Sequence, residues 1–185
     1  MSKEEQGPRP ADAFVSFGIS GDLARKMTFV SLYQLERRGM LNCPILGVAA
    51  EGWADEDLRQ RAAESVTAAL GGEKVDEAVL KRLQQRMTYV GGDFTEPATY
   101  DAVKKALGGA SVPVFYLEIP PSLFGTVVQG LATAGLTEGA RVVVEKPFGH
   151  DLESAQELNA RLRALLGESQ LYRIDHFLGK LSVQD

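Results

Sequence analysis

Residues that could do chemistry gather towards the end of the chain, in LYRIDHFLGK (171–180). Asp175 and His176 are adjacent, with Arg173 and Lys180 close by, and the chain has two histidines in all, His150 and His176. An acid, an imidazole and two cations suit anion binding or proton transfer. In an extended segment successive side chains point to opposite faces, so Asp175 does not readily pair with its neighbour His176. If Asp175 orients an imidazole, it orients another one. His150 is a candidate by elimination only, and its plainer reading is a surface residue opening a helix at Asp151. His176 and Lys180, four apart over a strand end and a turn, can converge on one anion; an ion-paired strand end of no chemical role is the alternative. EKPFG (145–149) supplies a further lysine, Lys146, whose place before Pro147 holds its backbone extended. It gains meaning if both lysines sit at neighbouring strand ends facing one crevice, and is otherwise a lysine in a surface turn.

A second kind of chemistry is written in FGISGDLARK (17–26). Gly18 permits a tight turn and Gly21 a close approach of backbone to ligand. Ser20 adds a hydroxyl donor, and a helix opening at Asp22 adds oriented N–H groups with partial positive charge. A pyrophosphate needs those features. The spacing is Gly-x-x-Gly rather than the usual three-glycine dinucleotide pattern, and a plain strand-to-helix turn shares it. Where the next strand ends, a carboxylate suits the free 2′-hydroxyl of NAD and an arginine the 2′-phosphate of NADP. The residues there are Ala49, Ala50 and Glu51, and the nearest arginine is Arg59 on the following helix. Glu51 also reads as a solvated loop carboxylate.

The elements that must position these residues alternate. Short apolar runs predict strands over 13–18, 43–50, 87–93, 112–119, 140–147 and 170–177. Helical spacing predicts helices over 22–38, 55–70, 75–87, 97–107, 121–134 and 151–166, the first capped by Asp22 and ended by Gly39. Such alternation predicts an α/β fold: a Rossmann-like, doubly wound, mainly parallel sheet with helices on both faces and right-handed crossovers. Ligands bind such sheets outside the carboxyl ends of the strands. Those ends are FGISGDL, GVAAEGW, LEIPPS, VEKPFG and RIDHFLGK, and apart from Arg59 and the pair His150 and Asp151 they hold the residues singled out above.

At 185 residues the chain is one domain's worth. Residues 1–11 read as a flexible lead-in and 12–185 as the domain. A net charge of −5, with no run of Lys and Arg, argues against a nucleic-acid surface. No apolar stretch approaches the ~20 residues of a membrane span, and MSKEEQGPRP lacks the apolar core of a signal peptide. The single cysteine, Cys43, rules out an internal disulfide and fits a reducing, cytoplasmic setting; it reads as a small buried apolar residue. No metal site is expected.

Taken together, GISGDLA (18–24), EKPFG (145–149) and RIDHFLGK (173–180), in that order, resemble the glucose-6-phosphate dehydrogenase family. YLEIPPSLF (116–124) is similar to the family's segment beside the coenzyme. The resemblance runs from about residue 12 onward. It implies the amino-terminal coenzyme-binding portion of a longer oxidoreductase, truncated before a larger α+β domain for substrate binding and dimerisation. That enzyme oxidises glucose 6-phosphate to 6-phosphogluconolactone in the pentose phosphate pathway, passing hydride to NADP or NAD. On the same basis Gly18, Ser20, Gly21, Asp22 and Leu23 form the coenzyme phosphate turn, Ala50 and Glu51 stand at the ribose, and Pro120 lies near the coenzyme. Lys146 contacts sugar and coenzyme, with Pro147 setting the geometry between them. His176 and Lys180 hold the sugar phosphate. Asp175 orients a general-base histidine beyond Asp185, so Asp175 and Lys146 are the catalytic residues within this chain, and the chain alone is expected to be inactive. Four departures bear on this. Met27 and Phe177 stand where the family often has Lys and usually has Tyr, Ala50 and Glu51 replace the arginine of NADP-using members, and the carboxy-terminal domain is absent. The whole protein is expected to be a homo-oligomer through that domain, binding neither nucleic acid nor membrane. A non-catalytic dinucleotide-binding sensor or scaffold is the rival reading.

Overall fold

The structure is a computed structural model that describes residues 9–145 and 152–174. Six strands form one parallel sheet in the order β3-β2-β1-β4-β5-β6. They are β1 (Ala13–Phe17), β2 (Ile45–Ala49), β3 (Met87–Gly91), β4 (Pro113–Leu117), β5 (Arg141–Glu145) and β6 (Leu171–Ile174). The helices are α1 (Phe29–Arg37), α2 (Asp55–Leu70), α3 (Glu77–Gln85), α4 (Pro97–Leu107), α5 (Phe124–Thr133) and α6 (Leu152–Leu165). This is the expected doubly wound α/β fold. The described part of each strand falls within its predicted segment, and the predicted continuations into 146–147 and 175–177 lie outside the described residues.

Side-chain alternation divides the core in two. Phe14, Ile45, Tyr116 and Val143 point to the side packed by α1, α2 and α3. Val15, Phe17, Val48, Phe115, Leu117, Val142 and Val144 point to the other, packed by α4, α5 and α6. All five residues of β1 and of β2 are buried, which is why both read as unbroken apolar runs rather than as alternation. Cys43 is buried, as its residue type predicts. Among the described residues no helix is long and apolar enough to cross a membrane.

Register brings the carboxyl ends level. Phe17 pairs with Val48 on one side and Leu117 on the other, and Leu117 pairs in turn with Val144. Gly18 and Glu118 follow directly on two of these strands, and one pairing beyond Val144, Glu145 lies opposite Ile174. Strand order reverses between β1 and β4, so the crevice expected to take ligand lies at Gly18 and Glu118.

The first helix differs from expectation. Gly21 accepts its first hydrogen bond, from Arg25 N at 3.1 Å, so Gly21 holds the cap position and Asp22 sits in the first turn. The chain then winds as a π-helical turn over Ala24–Thr28 before α1 begins. A continuous helix from 22 to 38 was the expectation. The wider turn coincides with a bond from Thr28 to a distant strand end, described below, which no local pattern signals.

Candidate functional site

The turn after β1 is fixed by its backbone. Gly18 has φ of 90°, its N–H donates to Val48 O at 2.8 Å, and its carbonyl accepts from Gly21 N at 3.0 Å. A Cβ on Gly18 would lie 2.3 Å from Glu118 O. Both the left-handed backbone and the close approach of β4 therefore demand glycine there. At Gly21 the backbone is not left-handed, but a Cβ would still meet Gly18 O at a tight 3.3 Å, which a shift of a few tenths of an ångström would relieve. Asp22 is exposed on the first turn, and so is Leu23, at 39% a large apolar side chain open to solvent beside the strand ends.

The end of β2 is tied to this turn. Ser20 Oγ donates to Glu51 Oε2 at 2.6 Å, and Tyr89 Oη donates to Glu51 O at 2.6 Å. Gly91 leaves room for that backbone, since a Cβ on it would stand 2.8 Å from Glu51 O. The structure thus brings Gly18, Ser20, Gly21 and Glu51 into one constellation, with Ala50 exposed beside it. In this structure Ser20, read from the sequence as a donor to phosphate, donates to Glu51.

Arg59 does not reach the end of β2. Its guanidinium donates to Gln84 O and Met87 O, both at 2.9 Å, at the amino end of β3, and pairs with Glu56 at 2.7 Å. Another cation of α2, which the sequence reading missed, is Arg61. It lies 5.1 Å from the ring centroid of Trp53, and Trp53 packs on Tyr89. Arg61 also lines an open cavity of about 580 Å³ with Arg25 and Lys26.

At the end of β4, Pro120 is exposed and leads into a single helical turn, Pro121–Leu123. Two residues earlier stands a carboxylate that the sequence reading passed over. Glu118 Oε1 accepts Ser16 Oγ at 3.0 Å and Thr28 Oγ1 at 2.6 Å. Its Oε2 is buried with no hydrogen-bond partner among the described residues. Burial raises this carboxyl to about 7 against an ordinary 4.5; the two hydroxyls oppose the shift, and the charge of Glu145 adds to it. Tyr116 Oη donates to Glu145, and burial together with that bond pushes the Tyr116 phenol far above its usual range. A glutamate breaking the apolar run VPVFYLEI was the available signal.

Lys146, Pro147, His150, Asp175, His176, Phe177 and Lys180 lie outside the described residues. Lys146 and Asp175 directly follow, in sequence, the paired residues Glu145 and Ile174.

A family model described as glucose-6-phosphate dehydrogenase, NAD binding domain, matches residues 15–185. The chain belongs to that family. As a member of the glucose-6-phosphate dehydrogenase family, it is a nicotinamide-dinucleotide-binding domain. It is 54% identical over 177 residues to glucose-6-phosphate 1-dehydrogenase 1 of Mycobacterium tuberculosis, covering 96% of this chain and 37% of that one. It is 35% identical over 189 residues to glucose-6-phosphate 1-dehydrogenase of Bacillus subtilis. The crystal structure of glucose-6-phosphate 1-dehydrogenase from Mycobacterium avium matches with a TM-score of 0.86 at 54% identity, over 93% of this chain and 37% of that one. A glucose-6-phosphate dehydrogenase solved in complex with its substrate glucose-6-phosphate matches with a TM-score of 0.80 at 37% identity, over 91% of this chain and 37% of that one. The chain therefore spans 37% of the length of these relatives.

Proposed function

We propose that the turn 18–23 binds the pyrophosphate of a nicotinamide dinucleotide, and that the whole protein to which this domain belongs oxidises glucose 6-phosphate. The observation that carries the binding site is the contrast between the two glycines. Intramolecular packing accounts for Gly18, whereas at Gly21 a Cβ meets one carbonyl oxygen at 3.3 Å. That contact is tight but relievable, and a ligand approaching the cap of the helix from outside supplies the stronger reason for glycine at 21. Gly21→Val should weaken coenzyme binding at least tenfold, ~1.4 kcal/mol, and leave the circular dichroism spectrum unchanged. Wild-type affinity in that variant would refute the site.

When bound, the coenzyme supplies the hydride-accepting ring. The chain supplies placement. Asp22 and Leu23 flank the pyrophosphate, Pro120 borders the coenzyme, and Ala50 with Glu51 meets the adenine ribose. Lys146, His176 and Lys180 are assigned to sugar and phosphate, and Asp175 to orienting the base, by their match to the family motifs. Phosphate held by His176 and Lys180 gives binding energy remote from the reacting carbon. The whole protein is taken to be a homo-oligomer working in the cytoplasm.

The coenzyme preference should be for NAD, or for NADP weakly. Glu51, held by Ser20 at 2.6 Å, can accept a bond from a 2′-hydroxyl and repels a 2′-phosphate. Titration with both coenzymes decides it. NADP binding more than tenfold tighter would transfer the role to the cations lining the neighbouring cavity, Arg25, Lys26 and Arg61.

A further inference from the structure

The turn 18–23 has two ends, and one carboxylate oxygen holds both. Ser16, on β1 just before the turn, and Thr28, in the π-helical turn just after it, each donate a hydroxyl hydrogen bond to Glu118 Oε1, at 3.0 and 2.6 Å. The backbone of the same residue packs against the turn itself, where Glu118 N–H donates to Phe17 O at 2.9 Å and Glu118 O blocks any side chain at Gly18. We propose that Glu118 is a positioning residue that clamps both ends of the coenzyme turn, and that the clamp works in its protonated form, so that coenzyme binding is linked to proton uptake.

The two hydroxyl donors by themselves favour the carboxylate, and burial outweighs them; hydrogen-bond counting then says which oxygen carries the proton. Oε1 accepts both hydroxyls, so the proton belongs on Oε2, which is buried and has no partner among the described residues. A bare negative oxygen is costlier to bury there than a neutral hydroxyl. Among the described residues, the charged group facing the clamp is Glu145 of β5, with Tyr116 of β4 hydrogen-bonded to it; the groups from β1 and the π-helical turn are the neutral hydroxyls of Ser16 and Thr28. Both the burial and the neighbouring carboxylate favour the neutral form, in line with a carboxyl raised to about 7.

The sign of the coupling follows. A pyrophosphate bound over the turn disfavours a negative charge beneath it. Ligand binding therefore promotes protonation, and by linkage deprotonation weakens binding. Affinity should fall as pH rises through about 7.

This inference rests on the turn being the coenzyme site, and the test separates the two. The affinity of the 185-residue chain for NAD⁺, whose pyrophosphate does not titrate near neutrality, is measured between pH 6 and pH 8. For the wild type, the dissociation constant should rise at least threefold across that range. Glu118→Gln keeps a carbonyl oxygen for both hydroxyls and cannot ionise, so its affinity should stay flat and exceed that of the wild type at pH 8. Glu118→Ala, if folded, should bind weakly at every pH. A buried protonated-carboxyl infrared band, present at pH 6, lost at pH 8 and missing from Glu118→Gln, reports the same titration without ligand. An unchanged pH slope in Glu118→Gln, or no such band, overturns the proposal. Wild-type binding by Gly21→Val would instead sink the turn reading and this inference with it.

Discussion

A polypeptide of residues 1–185, given glucose 6-phosphate and either coenzyme, is expected to show no coenzyme reduction above background. Hydride transfer from a hemiacetal carbon requires removal of the hydroxyl proton, and a positioned general base is typically worth ~10²–10⁴-fold. A histidine oriented by a carboxylate suits that task near neutral pH. The two imidazoles in the sequence are His150 and His176. The latter is assigned to the sugar phosphate, and the sequence predicts an extended segment in which it would not pair with Asp175, while the former follows EKPFG at a predicted helix start. Neither is assigned the base role. Orientation of the sugar should be lost along with the base: the chain spans 37% of the length of the Mycobacterium tuberculosis relative, and the family resemblance implies a substrate-binding domain in the remainder. The measurement is coenzyme absorbance with time, for this polypeptide and for the same residues joined to the remainder of that relative. Activity should appear in the joined chain and rest on a histidine beyond Asp185. Robust turnover by the 185 residues alone, abolished by His176→Asn, would make His176 the base.

Much of this reading was open to the sequence because it depends on local pattern. β1 and β2 are buried on both faces, so their apolar runs marked central parallel strands without any knowledge of the partners. Gly18 was legible as a turn residue because a left-handed backbone selects glycine. The bond from Ser20 to Glu51 was half legible. Both residues were placed at strand ends facing one crevice, but their direct contact depends on how the ends of β1 and β2 stand to each other. Glu118 was not legible as a clamp. Its partners lie 102 and 90 positions away, and they meet it through the β1–β4 register and a π-helical turn that helical periodicity does not announce. Arg59 misled for a related reason. Sequence distance placed it nearest Glu51, whereas the packing of α2 turns its guanidinium to the amino end of β3.

Glu118 should also govern how the stability of the domain responds to pH. Its carboxyl sits at about 7 when folded, against 4.5 for an exposed glutamate. Between those values the unfolded chain has released the proton and the folded one has kept it. The folded state binds more protons, so stability falls as pH rises through that window; above about 7 both forms are ionised and the loss is complete. At 1.36 kcal/mol per pH unit, the loss is on the order of 3 kcal/mol. Glu118→Gln removes the titration while keeping the shape and the acceptor for Ser16 and Thr28. A buried amide nitrogen without a partner has its own cost, but that cost is the same at every pH and cancels when the variant and the wild type are compared at two pH values. Urea unfolding, followed by circular dichroism and by the fluorescence of Trp53, the single tryptophan, supplies the comparison. From pH 4.5 to pH 8 the variant should gain about 3 kcal/mol relative to the wild type. Equal pH dependence in the two chains would mean that Glu118 titrates as an ordinary glutamate, its Oε2 reached by water.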